Sequence, residues 1–203
     1  SIIKRRLEGY MEEALGEYQG GFRKGRGTID QIFMLKQIMV GNYEYEIPTH
    51  LLFVDFKRAY DTVNRTKLIN ILRELDIPEK LINLIKMTLK NTISRVKVKG
   101  KTSDSFNVKQ GLRQGDPLST TLFNLVLESI IRKSDINRKG LLFNRSHQCQ
   151  TYADDLVLLA RNTKELERIT AKLMRQAEEV GLEFNIEKTK YIELKNNCNK
   201  SRI

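Results

Sequence analysis

The chain has 203 residues and a mass of 23.6 kDa, enough to bury a sizeable core in one domain or two closely packed lobes. With 40% hydrophobic residues, 12 Gly and 3 Pro it is neither disordered, collagenous nor of low complexity. A formal net charge of +11 and a pI near 9.6 point to nucleic acid or another anionic surface as partner.

In chain order, the Gly-rich basic stretch Gly20-Gly-Phe-Arg-Lys-Gly-Arg-Gly27 reads as a loop. It enters a helix striped by Ile29, Ile32, Phe33, Leu35, Ile38 and Met39. Leu51-Leu-Phe-Val54 is a short apolar run ending at Asp55, which predicts a buried strand. Asn64 caps a helix over 65–75, and Pro78 takes the first position of another that runs to about Lys90. Arg95-Val-Lys-Val-Lys99 alternates with period two, turns at Gly100-Lys101 and returns through Phe106-Asn-Val108. That pattern is a hairpin with one wet face.

Asp116 and Pro117 open a helix to about Lys133 that carries Leu118, Leu122, Leu125, Val126 and Ile130. Gln150-Thr-Tyr152 and Leu156-Val-Leu-Leu-Ala160 flank Asp154 and Asp155 as a second hairpin would. A long amphipathic helix follows. Asn162 is its N-cap, Glu165 stands at N3, Leu166, Ile169, Leu173, Ala177 and Val180 form its stripe, and Gly181 stops it. Strand-like residues surround Lys188, and 195–203 read as a frayed tail. The mixture is α+β.

Cys149 and Cys198 are too few for a disulfide framework or a Cys-based zinc site, and a reducing, intracellular compartment is expected. No apolar run nears the roughly 18 residues of a membrane span, so no membrane partner is expected. The start, Ser1-Ile-Ile-Lys-Arg-Arg, has no signal-peptide pattern. It also lacks an initiator Met, as expected of an excerpt from a longer chain.

Asp55 ends an apolar run, where an ionised carboxylate either caps the following turn or needs a cation. Asp154 and Asp155 repel one another unless they face water at a hairpin tip or a metal neutralises them. Three carboxylates on two neighbouring strand ends are what a two-metal phosphoryl-transfer site requires. Between Lys86 and Arg113 there are eight Lys or Arg against one acid, Asp104. This run, with Lys97, Lys99, Lys101, Lys109 and Arg113, suits a nucleic-acid backbone better than a merely solvated face. Arg23, Lys24 and Arg26 offer a smaller anion site before a helix. His50 and His147 are isolated and read as structural or exposed.

Together these pieces resemble the reverse transcriptases of non-LTR (LINE-type) retrotransposons. Five blocks follow that family's order over nearly the whole chain: Tyr18-Gln-Gly-Gly-Phe-Arg-Lys-Gly-Arg-Gly-Thr-Ile-Asp-Gln-Ile32, Phe53-Val-Asp-Phe-Lys-Arg-Ala-Tyr-Asp61, Arg113-Gln-Gly-Asp-Pro-Leu-Ser119, Tyr152-Ala-Asp-Asp155 and Gly181-Leu-Glu-Phe-Asn-Ile-Glu-Lys-Thr189. The resemblance implies a right-hand polymerase fold, with 1–50 mainly fingers and 51–194 mainly palm, and a basic hairpin near 95–108 shared between them. A thumb and an endonuclease would lie elsewhere in a parent polyprotein.

The implied activity is RNA-directed DNA synthesis: dNTPs are added to the 3′-hydroxyl of a DNA primer on an RNA template, with Mg²⁺ or Mn²⁺ as cofactor. In that scheme Asp55, Asp154 and Asp155, with the Phe56 carbonyl, bind metal. Tyr60 gates the sugar, Gln114 and Gly115 lie against the nucleotide, and Arg23 and Arg26 approach the triphosphate. Lys188 is the candidate general acid. Core packing for Tyr60, solvation for Lys188 and template contact for Arg23 and Arg26 are the competing readings. A nuclear location is implied in the same way. A non-catalytic nucleic-acid-binding module and an incomplete fragment are the alternative functions.

Overall fold

The computed structural model describes residues 2–137 and 148–194. His147, Cys198 and the tail expected over 195–203 lie outside the described residues.

The elements run α1 (Ile2–Ala14), α2 (Thr28–Glu44), β1 (Thr49–Val54), α3 (Ala59–Thr62), α4 (Arg65–Glu74), α5 (Glu79–Leu89), β2 (Ile93–Ser94), β3 (Lys97–Val98), β4 (Lys101–Thr102) and β5 (Phe106–Asn107). They continue with α6 (Pro117–Lys133), β6 (Cys149–Tyr152), β7 (Asp155–Ala160), α7 (Thr163–Glu179) and β8 (Lys190–Leu194). Four strands form an antiparallel sheet in the order β6-β7-β1-β8. Tyr18 to Gly20 add to its β6 edge in parallel, through Thr151 N–H to the Tyr18 carbonyl at 2.9 Å and Gly20 N–H to the Thr151 carbonyl at 2.9 Å.

The core is centred on α6. Asp116 accepts from Leu118 N–H at 2.9 Å and Pro117 fills N1, so the helix starts where two local signals agree. From Leu118 to Ile131 every residue except Thr120 is buried, which makes α6 a core helix rather than a one-sided surface helix. The segment after α1 engages its buried Glu128. Glu128 accepts from the Tyr18 hydroxyl at 2.6 Å, Gly16 N–H at 3.1 Å and Arg132 Nε at 2.7 Å. Helix α7 buries Leu166, Ile169, Leu173 and Ala177, packs on β7 and β1, and is capped by Asn162 accepting from Glu165 N–H at 2.9 Å. The Glu165 carboxylate does not complete a capping box. It accepts from Gln148 Nε2 and from the Arg168 guanidinium instead.

Several local expectations are corrected. Helix α2 forms and lies along edge strand β6, but none of its residues is buried and Ile29 is 80% exposed. Pro78 is the N-cap of α5, one position earlier than expected. The basic hairpin forms as two separate two-residue ladders, β2 with β5 and β3 with β4. Both of its faces are wet, since none of these four strands has a buried residue. Its tip turns at Lys99 and Gly100, whose φ of 48° and 81° give the left-handed pair of a tight hairpin turn. Lys188 sits in a turn before β8, not in a strand. His50 is structural, with Nδ1 2.7 Å from the Tyr191 hydroxyl. Cys149 is buried and its thiol is pushed up by burial and by the Glu128 charge, so it stays protonated.

Candidate active site

Strand pairing brings the three acids together. Val54 of β1 stands opposite Leu156 of β7, so Asp55 and Asp155 occupy the next position at the mouth of the same strand pair. Tyr152 pairs with Asp155, leaving Ala153 and Asp154 as a two-residue turn, with Ala153 at φ 57°. The main chain of Asp55 is gripped from the turn before β8: Asn185 N–H donates to its carbonyl at 2.8 Å, and its own N–H meets Thr189 Oγ1 at 3.5 Å. The Phe56 ring is buried edge-on against Phe184, 5.3 Å between centroids. That side chain is committed to the core, and only the Phe56 main chain is left for chemistry.

The carboxylates share one field. Burial, then the charges of Asp154 and Asp55, push the Asp155 carboxyl above its ordinary value. The Tyr60 hydroxyl is pushed up to about 12 by burial and by Asp154. The Asp55 Oδ2 atom is buried with no hydrogen-bond partner. An anionic oxygen in that state needs a cation, so the residues present fit a divalent metal. Among the described residues no group of three or more His, Cys, Asp or Glu is placed to hold a metal ion by itself. A divalent metal held here would have to complete its ligand set from outside the protein, as hard cations do when they bind with substrate phosphates.

Beside the acids lies a cavity of about 700 Å³, bordered by Asp154, Tyr60, Gln114, Gly115, Arg113, Phe22 and Lys4. Its volume is in the range of a nucleotide-sized site. Tyr60 reaches it from the short helix α3 and also stacks on Phe123, so it both packs on the core and lines the cavity. Gln114 donates to the Asp61 carboxylate at 3.3 Å. The loop carrying Gln114 and Gly115 is fixed by Gly111 N–H to the Val63 carbonyl at 2.8 Å and by Leu112 N–H to the Tyr60 carbonyl at 2.7 Å. At Gly111, with φ 81°, a Cβ would lie 2.4 Å from the Asp61 carbonyl oxygen, so only glycine lets the two segments approach.

Other expected residues are placed differently. Arg23 is buried, and its guanidinium is spent on Glu12 at 2.7 Å and on the carbonyls of Gly16 and Gln19 at 2.9 and 3.0 Å. It is a structural residue and offers nothing to a triphosphate. Arg26 pairs with the Glu17 carboxylate and donates to the Glu17 carbonyl at 2.9 Å. Lys188 is exposed, on the same turn that holds Asp55. Lys97, Lys99, Lys101 and Lys109 are exposed, and exposed Arg113 lines the cavity.

Sequence reasoning missed Lys4, Phe22 and Arg65. Lys4 and Phe22 reach the cavity only through tertiary packing. Arg65 donates to the carbonyls of Leu89, Val108 and Gly111 and to Thr92 Oγ1, at 2.7 to 3.0 Å. It ties both feet of the basic hairpin to the loop before Gln114. Its signal was a cation at the first helical position, where the helix dipole disfavours one.

Residues 1–199 match the family profile described as reverse transcriptase (RNA-dependent DNA polymerase). The chain belongs to the reverse transcriptase family. It is 30% identical over 135 residues to the Pol polyprotein of the type-1 retrotransposable element R2 of Nasonia vitripennis, covering 66% of this chain and 13% of that protein. It is 26% identical over 194 residues to the Pol polyprotein of the type-2 element R2DM of Drosophila melanogaster, covering 93% of this chain and 18% of that one. The chain thus spans less than a fifth of either relative, and both support a reverse transcriptase domain of the non-LTR type. The structure of apo telomerase from Candida tropicalis, truncated from its C-terminal domain, matches with a TM-score of 0.72 at 18% identity, over 95% of this chain and 40% of that one. That likeness establishes the α+β fingers and palm fold of this reverse transcriptase domain.

Proposed function

We propose that this reverse transcriptase domain is the nucleotidyl-transfer centre of an RNA-directed DNA polymerase. It extends the 3′-hydroxyl of a DNA primer along an RNA template. The observation that carries this reading is the buried, unpartnered Asp55 Oδ2 at the mouth of the β1 and β7 pair, beside Asp154, Asp155 and the 700 Å³ cavity.

Asp55 and Asp154, supported by Asp155 and the Phe56 carbonyl, are the residues that would hold Mg²⁺, with Mn²⁺ as substitute. When bound, the metal supplies acidification of the primer hydroxyl and neutralisation of charge on the phosphates. The protein's own groups do the rest. Tyr60 fills the space where a ribose 2′-hydroxyl would lie, and the Gln114–Gly115 loop orients the base and sugar. Arg113 faces the triphosphate from the cavity wall, where Lys4 is held to Glu8 at 2.9 Å, and Lys188 delivers a proton to the departing pyrophosphate. Lys97, Lys99, Lys101 and Lys109 follow the template–primer backbone. A thumb and an endonuclease of a parent polyprotein complete the machine, and a nuclear setting accompanies copying at chromosomal targets.

The test is incorporation of a single dNTP on a primer annealed to RNA. Asp154→Asn is expected to abolish it while the fold and duplex binding remain. Native-level incorporation by that variant overturns the proposal.

A further inference from the structure

Ala153 holds a left-handed φ of 57° without being glycine, in the turn that carries Asp154. Such a conformation persists only where the surroundings over-determine it. Here one side chain takes both of its main-chain polar groups. The Gln19 carboxamide is 2% exposed; its Oε1 accepts from Ala153 N–H at 3.0 Å and from Gly21 N–H at 2.8 Å, and its Nε2 lies 3.4 Å from the Ala153 carbonyl. Both main-chain groups of the strained residue therefore go to a single amide, 134 positions away in the chain.

The amide is itself anchored. Gln19 belongs to the segment that extends the sheet beside β6, next to Thr151. Gly21 presses on the turn so closely that a Cβ there would lie 2.1 Å from Ala153 N, and the Gly21 carbonyl accepts from buried Asn124 Nδ2 of α6 at 2.7 Å. The series Asn124, Gly21, Gln19, Ala153 thus braces the turn against the core helix. Phe22, the next residue, lines the cavity, so the brace also joins the cavity wall to the acid.

The geometry points to Gln19 as the positioning residue for Asp154, setting the direction of its carboxylate for a divalent cation. This rests on the reading of Asp154 as a metal ligand. An amide suits the task because it accepts from two N–H groups and donates to a carbonyl. A thioether of similar shape does neither, and leaves the buried Ala153 N–H without a partner.

The test is Mn²⁺ affinity of the 203-residue chain, measured by electron paramagnetic resonance of the free ion, with no turnover involved. Gln19→Met is expected to weaken binding on the order of tenfold, as loss of an orienting partner does. Gln19→Glu keeps both accepted bonds but loses the donor to the Ala153 carbonyl, and is expected to recover only part of that loss. Ile169→Ala, a destabilising change in α7 that touches no bond of the Gln19 clamp, is expected to bind as the native chain does. Native affinity in Gln19→Met, or an equal loss in Ile169→Ala, overturns the inference. Asp154→Asn separates the two readings. If it binds Mn²⁺ like the native chain, the metal reading fails; if it alone weakens binding, only the role of Gln19 fails. Hydrogen exchange at the Ala153 amide of the native chain needs no variant. Protection is expected, and exchange at the rate of an open loop contradicts the clamp.

Discussion

The ring of Tyr60 stacks on Phe123 at 4.7 Å with an interplanar angle of 27°, which holds the phenol against the core helix while it lines the cavity bordered by Asp154. Its hydroxyl is buried with no partner. Tyr60→Ala is expected to raise rNTP use relative to dNTP on the order of tenfold and to cost about 2–3 kcal/mol of stability through lost packing. Tyr60→Phe is expected to keep the discrimination and to leave stability equal or higher by about 0.5–1 kcal/mol, since an unsatisfied hydroxyl is removed. Paired incorporation assays and melting curves check both.

Asp155 costs stability when it is ionised and no cation is present. The folded-state value of Asp155 is raised, so the fold retains its proton to higher pH than the unfolded chain does. That advantage is present at low pH and is lost as pH rises through the raised value. Glu165 acts in the opposite sense: the Arg168 guanidinium holds its carboxyl down to about 2, and its contribution is lost as pH falls toward that value. A comparison with Asp155→Asn cancels the Glu165 contribution. At pH 7 without divalent ions, Asp155→Asn is expected to melt about 2 °C higher than the native chain. Adding Mg²⁺ is expected to raise the native melting point more than that of the variant.

Arg65 holds four acceptors from α5, both feet of the hairpin and the loop before Gln114. Arg65→Ala is expected to cost about 2–3 kcal/mol, because buried carbonyls lose a charged donor. It is also expected to speed hydrogen exchange at the Val108 and Gly111 amides, which donate to the Thr92 and Val63 carbonyls. Unchanged exchange there would show that the hairpin is anchored by other means.

What the sequence made legible was local. Asn64, Asp116 and Asn162 each cap amides two or three residues away, so the signal and its partner sit in one short window. The apolar runs ending at Asp55 and following Asp155 identified the two strands, and the acids were visible at their ends. Long-range partners were not legible. Nothing near Arg23 in the chain shows that Glu12 will claim its guanidinium, and a basic glycine-rich loop reads the same whether its arginines face a ligand or the core. Period-two alternation at 95–99 indicates a strand but cannot say whether anything packs on it, and here Lys97 and Val98 are both exposed. The stripe of α2 is likewise only partly used: Leu35, Ile38 and Met39 are half-buried while Ile29, Ile32 and Phe33 stay exposed.

Because the hairpin has two wet faces, its lysines carry no packing. Replacing Lys97, Lys99 and Lys101 together with Ala is expected to leave the melting point unchanged. Affinity for an RNA–DNA duplex should weaken evenly across sequences, and the salt slope should flatten by roughly 0.9 for each phosphate that is no longer neutralised. An unaltered slope would mean that the hairpin points away from nucleic acid.

The most direct measurement is single-turnover primer extension on an RNA template with Mg²⁺, comparing the native chain with Asp55→Asn, with duplex affinity recorded in parallel. The expected result is incorporation by the native chain, and at least roughly a thousandfold loss in the variant with duplex affinity unchanged, in line with the roughly 4 kcal/mol that such electrostatic stabilisation provides. Equal incorporation by both proteins would contradict the assignment of catalysis to the Asp55 cluster.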